Sequence, residues 1–423
     1  MLHDVRHGVP FDRALRRALS GLSDPDRALA HELASGVLRQ RSVLDEALSP
    51  SLSGGSARVR DDLLDILRLG AYQLLFLDRV PRHAAVDTVV TLGRRIGGAR
   101  VGGFINAVLR KVADGQPAGA ARPAVPGQSS AALAAQYSHP EWLVDRWIAR
   151  FGPGETEALL TANNHRPSLV IQPARWTTEA IIAGLDAAGI PWQHAPFGAG
   201  LVIDSVRPLE VPGFAAGAWL VQDPAQALVA RYAAAGDGVV LDACAAPGGK
   251  TVCLTRTARL VIAADVRWAR MRRLATNLRR AGSGPFVTLV GDARAPPVRS
   301  CDAVLIDAPC LGTGAFARHP DARWRVNPGA LASLTSQAAR FLRALAEVVR
   351  PGGLLIFATC SLEPEENEWQ VEAFLTADRR FRREPAANAV PSDLLSPSGD
   401  LVLLPHRHGT DGAYAARLRR VVD

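Results

Sequence analysis

The chain has 423 residues, of which 48% are hydrophobic and 21% are charged. These values are close to average globular usage, so they exclude a disulfide-stapled mini-protein, a fibrous repeat and a wholly disordered chain. The formal net charge of +8 is compatible with a polyanionic partner, but it is too small to identify one.

We find no sequence signal for a membrane segment or for export. The longest apolar runs, such as residues 352–360, are far shorter than the roughly 20 residues that a helix needs to cross a bilayer, and the first residues lack the apolar core of a secretory signal. The five cysteines form no Cys-x-x-Cys pair, which argues against a disulfide framework and a structural zinc site. We therefore expect a cytoplasmic monomer with no membrane segment and no metal.

The first part of the chain has the apolar periodicity of amphipathic helices. Ser23 followed by Pro25 is a typical helix start, and we predict an all-α domain over residues 1–115. Residues 116–135 are rich in Gly, Pro, Ala and Ser and follow neither the helical nor the strand period. Such a composition is typical of an exposed linker.

Two further regions follow the linker. Residues 136–232 mix short helical patterns with short extended stretches, which predicts a small α+β module. In residues 233–423, continuous β-branched apolar runs alternate with helical segments, as in a parallel sheet covered by helices on both faces. We predict a doubly wound α/β domain there, with its ligands at the carboxyl ends of the strands.

The first strand of this domain runs into a loop of small residues and then into a helix. Gly248 and Gly249 allow close approach of the backbone to a ligand, and the helix N-terminus offers free N–H donors. A phosphate-binding loop would need glycine at the position of Cys244, which disfavours ATP. Taken alone, the loop is also compatible with a tight turn that binds nothing. The candidate cofactor residues are Cys244, Ala245, Ala246, Pro247, Gly248, Gly249 and Lys250.

Acidic residues recur after later strands, at Asp265, Asp292 and Asp307. In a doubly wound fold, an acid after the second strand reaches ribose hydroxyls, and one after the third could meet an adenine amino group. Each acid by itself could equally be a helix cap. Three of them in register with a glycine loop favour an adenosine-type ligand.

Two cysteines, Cys310 and Cys360, follow strands that the crossover rule makes neighbours. An isolated cysteine is usually a buried structural residue, but the Gly-rich and Pro-rich surroundings of these two are poor core environments. A reactive cysteine needs its thiolate form, which nearby positive charge favours. The sequence offers three candidates for that charge, Arg318, His319 and Arg323.

These residues lie in motifs that resemble a known family. The segments CAAPGGKT, GDAR, DAPCLGTG and ATCSLEPEENE, in this order, resemble the motifs of the RNA 5-methylcytosine methyltransferases, the NOL/NOP2/Sun family. Upstream, VQDPAQ resembles the RNA-facing module of the family, and the segment around DRALAHELASGVLRQ resembles a NusB-like helical domain. The three-part arrangement is similar to that of bacterial members that act on small-subunit ribosomal RNA.

The resemblance implies an S-adenosylmethionine-dependent enzyme that methylates carbon 5 of a cytidine in 16S ribosomal RNA through a covalent cysteine–cytosine adduct. Cys360 matches the nucleophile of the family, and Cys310 matches the cysteine that assists release. The loop 244–250 matches the cofactor positions, as do Asp265, Asp292 and Asp307. We also assign Asp307 a catalytic hydrogen bond to the cytosine ring.

Two alternatives stay open at this point. One is a transfer-RNA enzyme of the same family, since only the resemblance of the front domain points to ribosomal RNA. The other is a non-catalytic RNA-binding factor of the antitermination type, suggested by the NusB-like front and the positive charge. The intact thiols and cofactor loop disfavour this second alternative.

Overall fold

The structure, a computed structural model, describes residues 1–52, 55, 58–115, 129–203, 208–386 and 388–422. Most of the predicted linker therefore lies outside the described residues. The chain divides into two compact units, one formed by Met1–His165 and Phe316–Arg325 and the other by Arg166–Ala315 and Val326–Asp423. Within the described ranges, no helix has the length and apolar character needed to span a membrane.

The first unit is helical, which confirms the predicted all-α front domain. Ser23 accepts the N–H of Asp26 and caps α3 as its sequence predicts, and the core is built from leucines such as Leu67 and Leu109. The helices described in this unit are α1 (Leu2–Arg6), α2 (Phe11–Ala18), α3 (Asp24–Arg39), α4 (Arg41–Leu48), α5 (Asp61–Phe76), α6 (Arg82–Asp114), α7 (Ser130–Tyr137), α8 (Glu141–Phe151) and α9 (Pro153–Asn164).

The segment Phe316–Arg325 comes from the C-terminal half of the sequence but packs within this helical unit. The buried Arg323 guanidinium donates to the carbonyl oxygen of Asn163 at 2.9 Å and to the side chain of Asn164 at 2.7 Å. The segment also contains Arg318 and His319, so all three proposed sources of positive charge for the thiols belong to the first unit. The positive group that interacts with Cys360 is instead the Lys250 ammonium, described below.

The second unit begins with a small antiparallel sheet. Its strands are β1 (Leu169–Pro173), β2 (Trp192–His194), β3 (Leu201–Ile203) and β4 (Trp219–Val221), in the order β2-β3-β1-β4, together with helix α10 (Thr178–Ala187). This confirms an α+β module. Helices α7 to α9, most of which fall within the predicted module, belong to the first compact unit.

The large sheet of the second unit confirms the predicted doubly wound domain. Its strand order is β10-β12-β9-β8-β5-β6-β7, with β11 paired to β12. The strands are β5 (Val239–Asp242), β6 (Leu260–Asp265), β7 (Phe286–Val290), β8 (Cys301–Asp307), β9 (Val349–Thr359), β10 (Phe381–Arg383), β11 (Leu401–Leu403) and β12 (Ala413–Arg420). β5 to β9 are parallel, whereas β12 runs antiparallel to β9.

Helices cover both faces of this sheet, because the parallel strands carry apolar side chains on both sides. One buried cluster includes Leu228, Val240 and Leu305, and another includes Val304 and Leu342. The helices are α11 (Pro224–Ala233), α12 (Gly249–Leu254), α13 (Trp268–Arg280), α14 (Pro328–Ala346), α15 (Glu368–Ala377) and α16 (Pro405–His408).

Candidate active site

Two loops at one edge of the large sheet bring two thiols together. Strands β8 and β9 are parallel neighbours, with Asp307 opposite Ala358, so both chains leave the sheet at the same edge. Cys310 and Cys360 follow, and their Sγ atoms are 3.5 Å apart. The predicted proximity of these two strand ends is confirmed.

The two thiols differ in environment. The hydrogen bond with Cys360, together with burial, holds the pKa of Cys310 well above its usual range. Cys310 therefore favours the thiol form, which can donate to the Cys360 sulfur. The Cys360 loop is braced from the other side, since Gly314 donates its N–H to the Cys360 carbonyl at 3.0 Å and the Thr313 hydroxyl accepts the N–H of Leu362 at 2.8 Å.

Lys250 belongs to the cofactor loop by sequence, but its side chain hydrogen-bonds Asp307, at the end of the strand that leads to Cys310. Its Nζ donates to Asp307 Oδ2 at 2.8 Å and also to the side chain of Gln226 on α11. Burial alone would lower the pKa of Lys250, but the negative charge of Asp307, followed by that of Cys360, offsets it and the pKa is raised. Lys250 is thus a buried ammonium group beside the Cys360 sulfur. The sequence analysis quoted Gln226 only as part of a motif and did not identify it as a site residue.

The loop 244–250 has the backbone shape of a ligand cradle. Gly248 has a φ of +109°, which a glycine adopts without strain, and a Cβ added to Gly249 would lie 3.0 Å from the amide nitrogen of Gln222. Burial, then the charge of Asp307, raises the pKa of Cys244. Cys244 is therefore an unreactive thiol rather than a second nucleophile.

Asp242, at the end of β5, is a site residue that sequence reasoning missed. Its Oδ2 accepts the Thr251 hydroxyl at 2.7 Å, whereas its Oδ1 is buried without a hydrogen-bond partner in the part of the chain that the structure describes. Burial raises the pKa of this carboxyl to about 7. An unpartnered acceptor beside a glycine cradle fits a ligand that carries hydrogen-bond donors, such as the amino and ribose hydroxyl groups of S-adenosylmethionine.

The structure treats the two remaining acids differently. Asp265 is buried at the end of β6, where its Oδ1 accepts the N–H of Arg267 at 3.0 Å. Asp292 follows β7, but its carboxylate is held by the Arg294 guanidinium at 2.6 and 3.0 Å, and this pairing lowers its pKa. Asp265 lies where the fold predicts a ribose partner, although its Oδ2 also pairs with Arg270 at 3.3 Å. Each acid therefore has a local arginine partner, but only Asp265 is buried.

Two buried polar residues beyond β9 were also missed as site residues, although they lie in the motif ATCSLEPEENE. The carboxylate of Glu366 accepts the N–H of Leu311, the residue after Cys310, at 3.0 and 3.2 Å. The amide of Asn367 donates to the carbonyl oxygen of Ser361, the residue after Cys360, at 2.8 Å. Their place in the same motif as Cys360, after the turn-forming Pro364, was the signal that could have identified them.

Three family models match the chain. The NusB family matches residues 6–114, the ferredoxin-like domain of RsmF/B-like methyltransferases matches residues 139–210, and the 16S rRNA methyltransferase RsmB/F family matches residues 231–419. The matches cover in turn the helical front, the helices α8 and α9 with most of the small sheet, and the large sheet with its loops.

Two curated proteins are similar to the chain over nearly its whole length. The probable ribosomal RNA small subunit methyltransferase B of Synechocystis sp. is 34% identical, covering 97% of this chain and 95% of the relative. The ribosomal RNA small subunit methyltransferase B of Vibrio cholerae is 35% identical, covering 98% of this chain and 94% of the relative.

Solved structures share the fold. The crystal structure of PH0851 has a TM-score of 0.79 at 25% identity, covering 96% of this chain and 93% of that protein. NSun6 from Pyrococcus horikoshii has a TM-score of 0.59 at 19% identity, covering 67% of this chain and 99% of that protein. The likeness to PH0851 extends over both compact units.

Proposed function

The chain belongs to the family of 16S rRNA methyltransferases RsmB/F, and we propose that it methylates carbon 5 of a cytidine in small-subunit ribosomal RNA through a transient bond to Cys360. The observation that carries this proposal is the pair of thiols, with the Cys310 and Cys360 sulfurs 3.5 Å apart, near the ion pair between the buried Lys250 and the partly exposed Asp307. The names of the curated relatives support ribosomal RNA as the substrate class.

We propose S-adenosylmethionine as the methyl donor. The residues that would hold it are the loop 244–250, the buried Asp265 and the unpartnered oxygen of Asp242. When bound, it supplies a methyl group on a positively charged sulfur. Asp292 is the least supported of the proposed cofactor residues, because its side chain is 34% exposed and paired with Arg294, whereas that of Asp265 is 4% exposed.

Two thiols suit this chemistry because carbon 5 of cytosine is a weak nucleophile. When the Cys360 thiolate adds to carbon 6, a sulfur–carbon bond forms and the electron pair of the ring double bond makes carbon 5 nucleophilic enough to take the methyl group. The charge of the Lys250 ammonium interacts with Cys360 and is of the sign that stabilises an attacking sulfur anion. Asp307, held by Lys250, accepts a hydrogen bond from the amino group of the cytosine ring and orients the ring for addition.

Release of the product requires one proton transfer and one bond cleavage. A base removes the proton from carbon 5. The electron pair of the broken carbon–hydrogen bond restores the ring double bond, and the bond between carbon 6 and the Cys360 sulfur breaks. Because the pKa of Cys310 is raised, its thiol is suited to donate to the departing sulfur. We assign this donation to Cys310 and the removal of the carbon 5 proton to a water molecule.

The test compares Cys360→Ala and Cys310→Ala in a tritiated-methyl assay on 16S ribosomal RNA. The first variant is expected to lose methyl transfer, because it has no nucleophile. The second is expected to accumulate a protein–RNA adduct that survives denaturation, because the leaving sulfur has lost its donor. Turnover by Cys360→Ala would contradict the proposed mechanism.

The RNA substrate needs a separate experiment. Bisulfite sequencing of total RNA from a deletion strain is expected to show one lost methyl mark in 16S ribosomal RNA. A mark lost from a transfer RNA instead would establish the transfer-RNA alternative. Isothermal titration with S-adenosylmethionine addresses the non-catalytic alternative, since a pure RNA-binding factor would give no heat.

A further inference from the structure

Two adjacent buried residues lie between the thiol loops and have no part in the chemistry proposed above. Glu366 and Asn367 stand at the end of the short turn Pro364–Glu366 and directly before α15. Only 2% of Glu366 and 4% of Asn367 is exposed to solvent. A buried carboxylate or amide is costly unless its polar atoms are bonded, so the partners of these residues indicate their role.

Glu366 holds the loop that carries Cys310. Both of its carboxylate oxygens accept the N–H of Leu311, at 3.0 and 3.2 Å. A hydrogen bond from an amide to an ionised carboxylate is stronger than one between neutral groups. Burial raises the pKa of Glu366 to about 7, so the charged form predominates only above that pH, which is where both experiments below are run. Its negative charge also contributes to the raised pKa of Cys310, after the hydrogen bond with Cys360 and burial.

Asn367 holds the loop that carries Cys360. Its Oδ1 accepts the Thr359 hydroxyl at 2.5 Å, and its Nδ2 donates to the Ser361 carbonyl at 2.8 Å. These partners are the residues immediately before and after Cys360. Two consecutive side chains therefore fix the backbone next to both thiols.

We propose that Glu366 is a positioning residue that, together with Asn367, sets the separation of the two thiols and thereby controls product release. This inference rests on the proposed function. Addition of Cys360 to the base does not need Cys310, whereas release needs the Cys310 thiol within reach of the departing sulfur. Loss of the Glu366 charge leaves the Leu311 N–H weakly bonded and frees the Cys310 loop. Release then slows more than addition.

The first experiment needs no RNA. Cys310 alkylation by iodoacetamide, in which the thiolate displaces iodide, is followed by peptide mass spectrometry in Glu366→Gln and in the control Glu372→Gln. Glu372 lies on α15, is 61% exposed and pairs with Arg383 at 2.8 Å. We expect Glu366→Gln to raise the Cys310 alkylation rate about threefold or more, because the loop is freed and a negative charge that disfavours the thiolate is removed.

The second experiment measures the two halves of the reaction on 16S ribosomal RNA. In Glu366→Gln we expect turnover to fall about tenfold while S-adenosylmethionine affinity stays within about twofold, since a charge-assisted hydrogen bond contributes on the order of 1.5 kcal/mol or more. The fraction of enzyme trapped as adduct is expected to rise at least about threefold. The Glu372→Gln variant is expected to match the wild type in both measurements.

Three outcomes overturn the inference. The first is an equal rate of Cys310 alkylation in Glu366→Gln and Glu372→Gln, and the second is equal turnover in these two variants. The third is a fall of turnover in Glu366→Gln with no rise in adduct, as expected if the substitution destabilised the whole site. If Glu366→Gln does not fold, Glu366→Asp replaces it. This variant keeps the negative charge, but its shorter side chain holds the Leu311 N–H less well, so an alkylation rate equal to that of the wild type contradicts the inference. Failure of the proposed function is distinguishable, because it appears as turnover by Cys360→Ala whatever the Glu366 variants do.

Discussion

The cofactor loop and the thiol loops leave the same edge of one sheet, but they satisfy their buried polar groups in different ways. In the cofactor region, Asp242 keeps a buried oxygen without a partner among the described residues. In the thiol region, the side chains of Glu366 and Asn367 are bonded to the backbone and side chains next to the cysteines. The first region is suited to a ligand that donates hydrogen bonds, and the second fixes its own reactive groups.

Lys250 connects the two regions. It belongs to the cofactor loop by sequence, yet its ammonium group bonds Asp307 at the end of β8. A residue of one loop therefore sets the charge next to the nucleophile of the other. A residue that belongs to the cofactor motif by sequence can therefore act in the thiol region. Substitutions of Lys250, Asp242 and Gln226 distinguish the contributions of the two regions.

The largest effect is expected from Lys250→Met. The substitution removes the positive charge that interacts with Cys360 and leaves Asp307 without its ion-pair partner, so the addition of Cys360 to the ring is the step most affected. We expect turnover at saturating RNA to fall at least about 100-fold. The measurement is single-turnover methyl transfer together with adduct formation, and both are expected to fall.

The chain provides a matched control for this substitution. Lys111, an exposed residue of α6, is the other lysine in the sequence, and Lys111→Met is expected to keep the wild-type turnover at saturating RNA. Equal turnover in the two variants would contradict the assignment of Lys250 to the thiol region. If Lys250→Met loses affinity for the cofactor but still forms the adduct normally, Lys250 acts in cofactor binding and not in the thiol chemistry.

The sequence predicted the parts of the molecule that depend on local pattern. The parallel strands were identifiable because strands buried on both faces read as continuous apolar runs, and the proximity of Cys310 to Cys360 followed from the crossover rule. Side-chain contacts that do not follow from the order of strands in the sheet were not predictable. The packing of Arg323 in the helical unit and the bond between Lys250 and Gln226 join residues far apart in the chain, and nothing in the local sequence indicates them.

An intermediate effect is expected from Asp242→Asn. The amide keeps an acceptor for Thr251 but turns its nitrogen toward the cradle, so that a donor replaces the unpartnered acceptor. We expect the affinity for S-adenosylmethionine to fall about tenfold, measured by isothermal titration. Asp393→Asn, at an exposed position, is the control, and the same affinity in both variants would contradict the role of Asp242.

The same carboxyl predicts a pH dependence of the protein without cofactor. Because burial raises the pKa of Asp242 from 3.8 to about 7, the folded state binds this proton more tightly than the unfolded state. The stability contributed by the proton is complete below about pH 4 and is lost as the pH rises through about 7. Thermal unfolding should show a smaller loss of stability over this range in Asp242→Asn than in the wild type.

The smallest effect is expected from Gln226→Leu, which removes only the neutral partner of Lys250. The bond is donated by an ammonium group and is therefore charge-assisted, but Asp307 still holds Lys250 in the variant, so turnover should fall only about fivefold. Because Gln226 acts through the Lys250 ammonium, the double variant with Lys250→Met should be no slower than Lys250→Met alone. If the two losses multiply instead, Gln226 has a partner other than Lys250, and the connection between the cofactor loop and the thiol loops passes through Asp307 alone.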